Sequence, residues 1–266
     1  MNKERIAFIV EGDVREMDIF ENVKKNFFDS SKVDVISFPA GENIYMLWKR
    51  LKEDAFQTDV IELVRERDAK AAEIIKDYTR DSFSEIYLFF DYDRHQNNLS
   101  KAEIDSDVIQ EMIDTFNNET EYGLLYISYP MVEAVRDYSE DDCETDSGCV
   151  INLSETGNYK NISSRIASHN AIKEYTINEW QFIIDSYVQR VSCLMGREQV
   201  VSLEEYKRQV TERLIYDLQK QYEQQGKVFV LSAIPGFLLA YNRQPFWHRM
   251  VNHSHNKRKT CSILTS

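Results

Sequence analysis

Short apolar runs alternate with amphipathic stretches through the first half of this chain, and that alternation limits the fold more than any other feature. Arg5 to Val10 (RIAFIV), Val33 to Phe38 (VDVISF), Glu85 to Phe90 (EIYLFF) and Tyr122 to Ser128 (YGLLYIS) have the length and composition of strands. Between them the apolar residues recur at helical spacing. Met17, Ile19, Phe20, Val23, Phe27 and Phe28 mark a first helix, which Asp13 is placed to cap. Ile44 to Leu51 and Val60 to Tyr78 mark two more, the second carrying Ile61, Val64, Ala71, Ile74 and Ile75. Ile104 to Phe116 gives another, and a short helix starts near Met131 after Pro130. The order β-α-β-α-α-β-α-β-α predicts an α/β fold with a mostly parallel sheet flanked by helices. Ligands of such sheets bind beyond the carboxyl ends of the strands.

The pattern changes after Tyr138. Ser139 to Asp146 (SEDDCETD) reads as an acidic loop. Helical spacing returns over Ile162 to His169, Ile177 to Met195 and Leu203 to Gln224. Lys227 to Ser232 (KVFVLS) is a late strand and Ile234 to Tyr241 a short helix. From Asn252 onward, His253, His255, Lys257, Arg258 and Lys259 make a basic tail. The expected organisation is therefore a first domain over 1–138 and a helical extension over 139–251, followed by a basic tail over 252–266. The late strand is expected to return to the core.

The chain has 266 residues, 42% of them hydrophobic, enough to bury a core in one large or two modest domains. Its longest nearly apolar stretch, Val228 to Tyr241, is too short to cross a bilayer and is broken by Pro235-Gly236. The N-terminus leads at once into a strand followed by Glu11 and Asp13, unlike a signal peptide. These features predict a cytoplasmic protein with no membrane partner. Cys143, Cys149, Cys193 and Cys261 suggest no disulfide framework in a chain this long. A net charge of −13 and a pI near 4.9 oppose generic nucleic-acid binding, because phosphate contacts need local Lys and Arg. A local basic groove or a bound cation would offset that repulsion. No P-loop, dinucleotide fingerprint or His-Glu-x-x-His zinc motif is present.

Acidic residues stand where three of the strands end: Glu11 in Val10-Glu11-Gly12, Asp91 and Asp93 in Asp91-Tyr92-Asp93, and Glu133 in Tyr129-Pro130-Met131-Val132-Glu133. Mg²⁺ and Mn²⁺ prefer oxygen donors, and Mg²⁺ is usually held by one or two carboxylates together with substrate phosphates and water. Residues two apart in a strand face the same way, so Asp91 and Asp93 could share an ion. Glu11 could face them as ligand or general base, and Gly12 would let a phosphate approach. The plainer alternative is that each acid is soluble and caps the next helix.

In this order the motifs resemble the TOPRIM superfamily, the metal-binding fold of topoisomerases, primases and OLD-family nucleases. That family carries Glu-Gly after a first strand and Asp-x-Asp after a later one. The chain is more narrowly similar to the RloB-like branch of TOPRIM nucleases in phage-defence systems. That branch places Thr-Glu and an aromatic residue past the Glu-Gly, and this chain has Glu16 and Phe20 at those positions, with Arg15 in place of the Thr. The branch also has Asn-Pro-x-Phe-Glu after a further strand. Here the Pro and Glu remain as Pro130 and Glu133, with Tyr129 and Val132 replacing Asn and Phe. The resemblance covers residues 6–133, about half the chain.

The resemblance implies a TOPRIM-like, Rossmannoid sheet and a Mg²⁺- or Mn²⁺-dependent nuclease acting on DNA or RNA in antiviral defence. Glu11, Asp91 and Asp93 would be metal ligands or acid-base residues, with Glu16 and Glu133 as secondary acidic members. Some relatives work beside an ATPase, so a partner ATPase or homo-oligomer would regulate a toxic activity. The alternative is a catalytically silent TOPRIM-like module that docks such an ATPase. Nucleotidyl transfer on the same site has no motif of its own here.

Other residues keep two readings. Arg94 and His95 could reach a scissile phosphate or simply begin a solvated loop. Lys160, Arg165 and the basic tail could touch a nucleic-acid backbone or stand in solvent. Phe237, Tyr241, Phe246 and Trp247 could stack on bases or pack in the core.

Overall fold

The computed structural model describes residues 3–92, 107–138, 149–166, 172–197 and 203–241. The chain forms two compact units, Met1–Tyr126 and Ile127–Ser266. Five strands make the main sheet: β1 (Glu4–Val10), β2 (Val33–Pro39), β3 (Glu85–Asp91), β4 (Asn117–Asn118) and β5 (Gly123–Ser128). Their order is β2-β1-β3-β5-β4 and the sheet is mostly parallel. β1 pairs in parallel with β2 and with β3, Ile6 facing Val35 on one side and Glu85 on the other. Ile6 to Val10 are completely buried, as a central strand covered on both faces must be. Pro39 ends β2 at the sheet edge, where a missing N–H costs no ladder bond. β4 pairs antiparallel with β5 and carries no apolar run to announce it.

The helices of the first unit are α1 (Arg15–Phe27), α2 (Ile44–Glu53), α3 (Val60–Arg67), α4 (Ala69–Ile74) and α5 (Val108–Thr115). α1 and α4 both pack on β2. An aromatic cluster fixes α1 to one face of the sheet. Phe20 lies 4.4 Å from Phe89 and 5.3 Å from Phe8 between ring centroids, and Phe89 stacks on Tyr126.

Two helix boundaries depart from expectation. The stretch from Val60 to Tyr78 is not one helix, because Asp68 takes an extended conformation and its carboxylate accepts the N–H of Ala71 at 2.7 Å. A short polar side chain that binds its own backbone competes with helix continuation. Asp13 does not cap α1: Val14 holds the N-cap position and makes no side-chain cap bond.

The second unit holds β6 (Val150–Asn152), β7 (Lys227–Phe229), α6 (Tyr159–Ile166), α7 (Ile177–Leu194), α8 (Leu203–Gln209), α9 (Glu212–Glu223) and α10 (Ala233–Tyr241). β6 and β7 form a separate antiparallel pair. Val230 N–H donates to the Cys149 carbonyl and Leu153 N–H to that of Gly226, so the N–H and C=O of Phe229 point away from β6. The Gln219 amide meets both, donating to Phe229 O at 2.7 Å and accepting from Phe229 N at 3.1 Å. Two residues on, Leu231 exchanges backbone hydrogen bonds with Tyr129 at 2.8 Å each. The expected helix from Leu203 to Gln224 divides at Thr211, whose hydroxyl caps Leu214 N–H at 3.1 Å.

Arg190, 1% exposed, is the central polar group of this unit. It donates to the carbonyls of Val230 and Asp137, and its guanidinium lies 4.4 Å from the Tyr138 ring centre. The Asp137 carboxylate accepts the Tyr159 hydroxyl at 2.5 Å. α10 approaches α7 at Gly236, where a Cβ would come within 2.5 Å of the Tyr187 hydroxyl. Among the described residues no helix is long and apolar enough to cross a membrane.

Candidate functional site

β1 and β3 end side by side, and the chain keeps them coupled one step further. Glu11 N–H donates to Phe89 O at 3.2 Å. The Glu11 carboxylate then accepts the N–H of Asp91 at 3.0 Å through Oε2. The side chain thus stands at the next step of the β1–β3 ladder. That hydrogen bond fixes the direction of the Glu11 carboxylate. Both residues are partly buried.

Glu16, in the first turn of α1, leans back over this turn. A Cβ built on Gly12 would come within 2.6 Å of Glu16 Cδ and Oε1. The missing side chain at Gly12 therefore makes room for a carboxylate of the same chain, where the sequence suggests room for a phosphate. The position also keeps an acid near the N-terminal end of α1, where the helix dipole favours negative charge. Val14 is 64% exposed beside it. Lys70 Nζ, from α4, donates to the carbonyl of Asp13.

Asp93, Arg94 and His95 lie outside the described residues, as do Phe246, Trp247, Cys143, Cys261, the Arg165 side chain and the basic tail. Glu133 belongs to the second unit. It is 4% exposed, sits in a 3₁₀ turn over Val132–Arg136, and has Lys160 Nζ at 3.9 Å. The Lys160 side chain itself is 63% exposed. Phe237 is fully buried in α10, its ring centre 5.6 Å from that of Tyr241. Cys149 and Cys193 are both buried.

The Arg190 and Arg136 networks leave no signal in the sequence. Arg136 donates to Ser163 Oγ at 2.9 Å, Ser164 Oγ at 2.6 Å and the Lys160 carbonyl at 3.0 Å. A lone Arg after an acidic motif carries no mark of burial, and the serines that receive it lie a helix away. Lys70 is equally silent, being one charge in a stretch rich in charge.

Among the described residues no group of three or more His, Cys, Asp or Glu side chains is placed to hold a metal ion. Glu11 and Asp91 nevertheless fit Mg²⁺ or Mn²⁺ in kind. They bring hard carboxylate donors to one strand edge, and one or two such groups are the usual protein share of a Mg²⁺ site. No family model matches the chain, and neither a curated protein nor a solved structure does.

Proposed function

We propose that this protein is a metal-dependent nuclease of DNA or RNA with a TOPRIM-like site, acting in the cytoplasm as an antiviral effector. The observation that carries this reading is the bond from Asp91 N–H to Glu11 Oε2. It fixes two acidic residues of adjacent parallel strands at the edge where α/β sheets take their ligands. Mg²⁺ or Mn²⁺ bound there would supply Lewis-acid polarisation of a phosphoryl oxygen and a more acidic water. Glu11, oriented by the Asp91 amide before any ligand arrives, is suited to hold or accept a proton. Asp91 and Asp93 contribute the other carboxylates, and Glu16 raises the negative potential over Gly12. A cation at this edge would offset the repulsion between a chain of net charge −13 and a phosphate backbone. A partner ATPase or self-association would keep the activity silent until required.

Calorimetry with Mn²⁺ and Mg²⁺ tests the site, comparing wild type with a Glu11→Ala/Asp91→Ala variant of verified fold. Cleavage assays on plasmid and tRNA test the reaction. Saturable binding and cleavage should both disappear in the variant. Full cleavage by Asp91→Ala alone would sink the assignment.

A further inference from the structure

We infer that Lys70 is a positioning residue for the carboxylate edge, tying α4 to the turn that carries Glu11, Gly12 and Asp13. The inference rests on reading that edge as a metal site. Three features carry it. Lys70 Nζ donates to the Asp13 carbonyl across 57 residues of sequence. The start of α4 is itself registered against the same edge of the sheet: Asp68 packs on Gly41, in the loop after β2, where a Cβ would come within 2.9 Å of Asp68 Cβ. Gly41 has φ +72, so this close approach suits glycine and few other residues. Finally, Val14 at the N-cap of α1 makes no side-chain cap bond, so that one restraint is missing at the start of the helix. Lys70 supplies from a neighbouring helix a restraint that a capping side chain would otherwise give.

The sign of the effect separates positioning from plain charge. Lys70 is a cation beside an acidic edge, so its removal by Coulomb's law alone would strengthen binding of another cation. A positioning role predicts the reverse, because a looser turn holds Glu11 less well.

The test uses the full chain in four forms: wild type, Lys70→Gln, Lys70→Arg and, as the reference for the metal site, Glu11→Ala. Hydrogen exchange at the amides of residues 12–16 should rise in Lys70→Gln and return towards wild type in Lys70→Arg. The Mn²⁺ dissociation constant should rise about fivefold in Lys70→Gln, the factor for one net hydrogen bond, with recovery in Lys70→Arg. Unchanged exchange, or tighter or unchanged Mn²⁺ binding in Lys70→Gln, overturns the inference. If wild type shows no Mn²⁺ binding that depends on Glu11, the metal reading has failed. Exchange then decides the clamp by itself: faster exchange supports it and unchanged exchange refutes it.

Discussion

The carboxylate of Glu16 occupies the space that a side chain at Gly12 would need. Gly12→Ala should therefore push Glu16 aside while sparing the strands. Glu16 is the flexible end of a side chain, so the stability cost should stay below ~1 kcal/mol. Displacing a supporting acid should weaken Mn²⁺ binding about tenfold. Calorimetry alongside thermal unfolding checks both, and unaltered Mn²⁺ affinity would remove Glu16 from the site.

Asp68 both stops α3 and caps α4. Asp68→Ala should lower stability by about 1 kcal/mol, as lost N-caps do, whereas Asp68→Asn should remain near wild type. Urea unfolding midpoints read the difference.

Glu212 gives a pH dependence with a definite sign. Its Oε2 accepts Ile127 N–H at 3.2 Å, and burial pushes its carboxyl from 4.5 up to about 8, against the smaller opposing pull of that amide. The folded chain thus takes up a proton that the unfolded chain releases. Its stabilising effect is complete below the unfolded value and fades as pH rises through the window from 4.5 to about 8. Glu212→Gln retains an acceptor oxygen but cannot ionise. Its stability relative to wild type should climb across that window and level off above it, as measured by urea unfolding at a series of pH values. A constant difference at all pH values would show that Glu212 ionises normally.

Arg190 serves two carbonyls and an aromatic face within a nearly closed core. Arg190→Met fills part of the volume but leaves both acceptors without their donor. A loss of roughly 3 kcal/mol is expected from two buried acceptors at ~1–3 kcal/mol each. Chemical denaturation is the measurement, with loss of soluble protein as the extreme form of the same result.

The strands were legible because Ile6–Val10 and Ile86–Phe90 are continuous apolar runs, and two-sided burial demands such runs. The breaks at Asp68 and Thr211 were hidden for a physical reason. Apolar spacing continues across the first, from Val64 to Ala71, and in both the stop is made by one side-chain hydrogen bond. β6 is three residues of partly exposed chain and has no periodicity to detect. At the candidate site, Glu11 and Asp91 could be read as acids at strand ends. The fold of Glu16 over Gly12 depends on a rotamer, and the reach of Lys70 depends on where a remote helix lies, so neither is written in local spacing.

The Gln219 amide has a consequence for how copies of this protein meet. A short strand with an open rim invites another chain to lie alongside it and extend the sheet. At Phe229 that rim is already filled by a side chain of the same molecule, and at Leu231 by Tyr129. The β7 side of the small sheet is thereby occupied from within at both places, and a neighbour could pair with Phe229 there only by first displacing the chain's own glutamine.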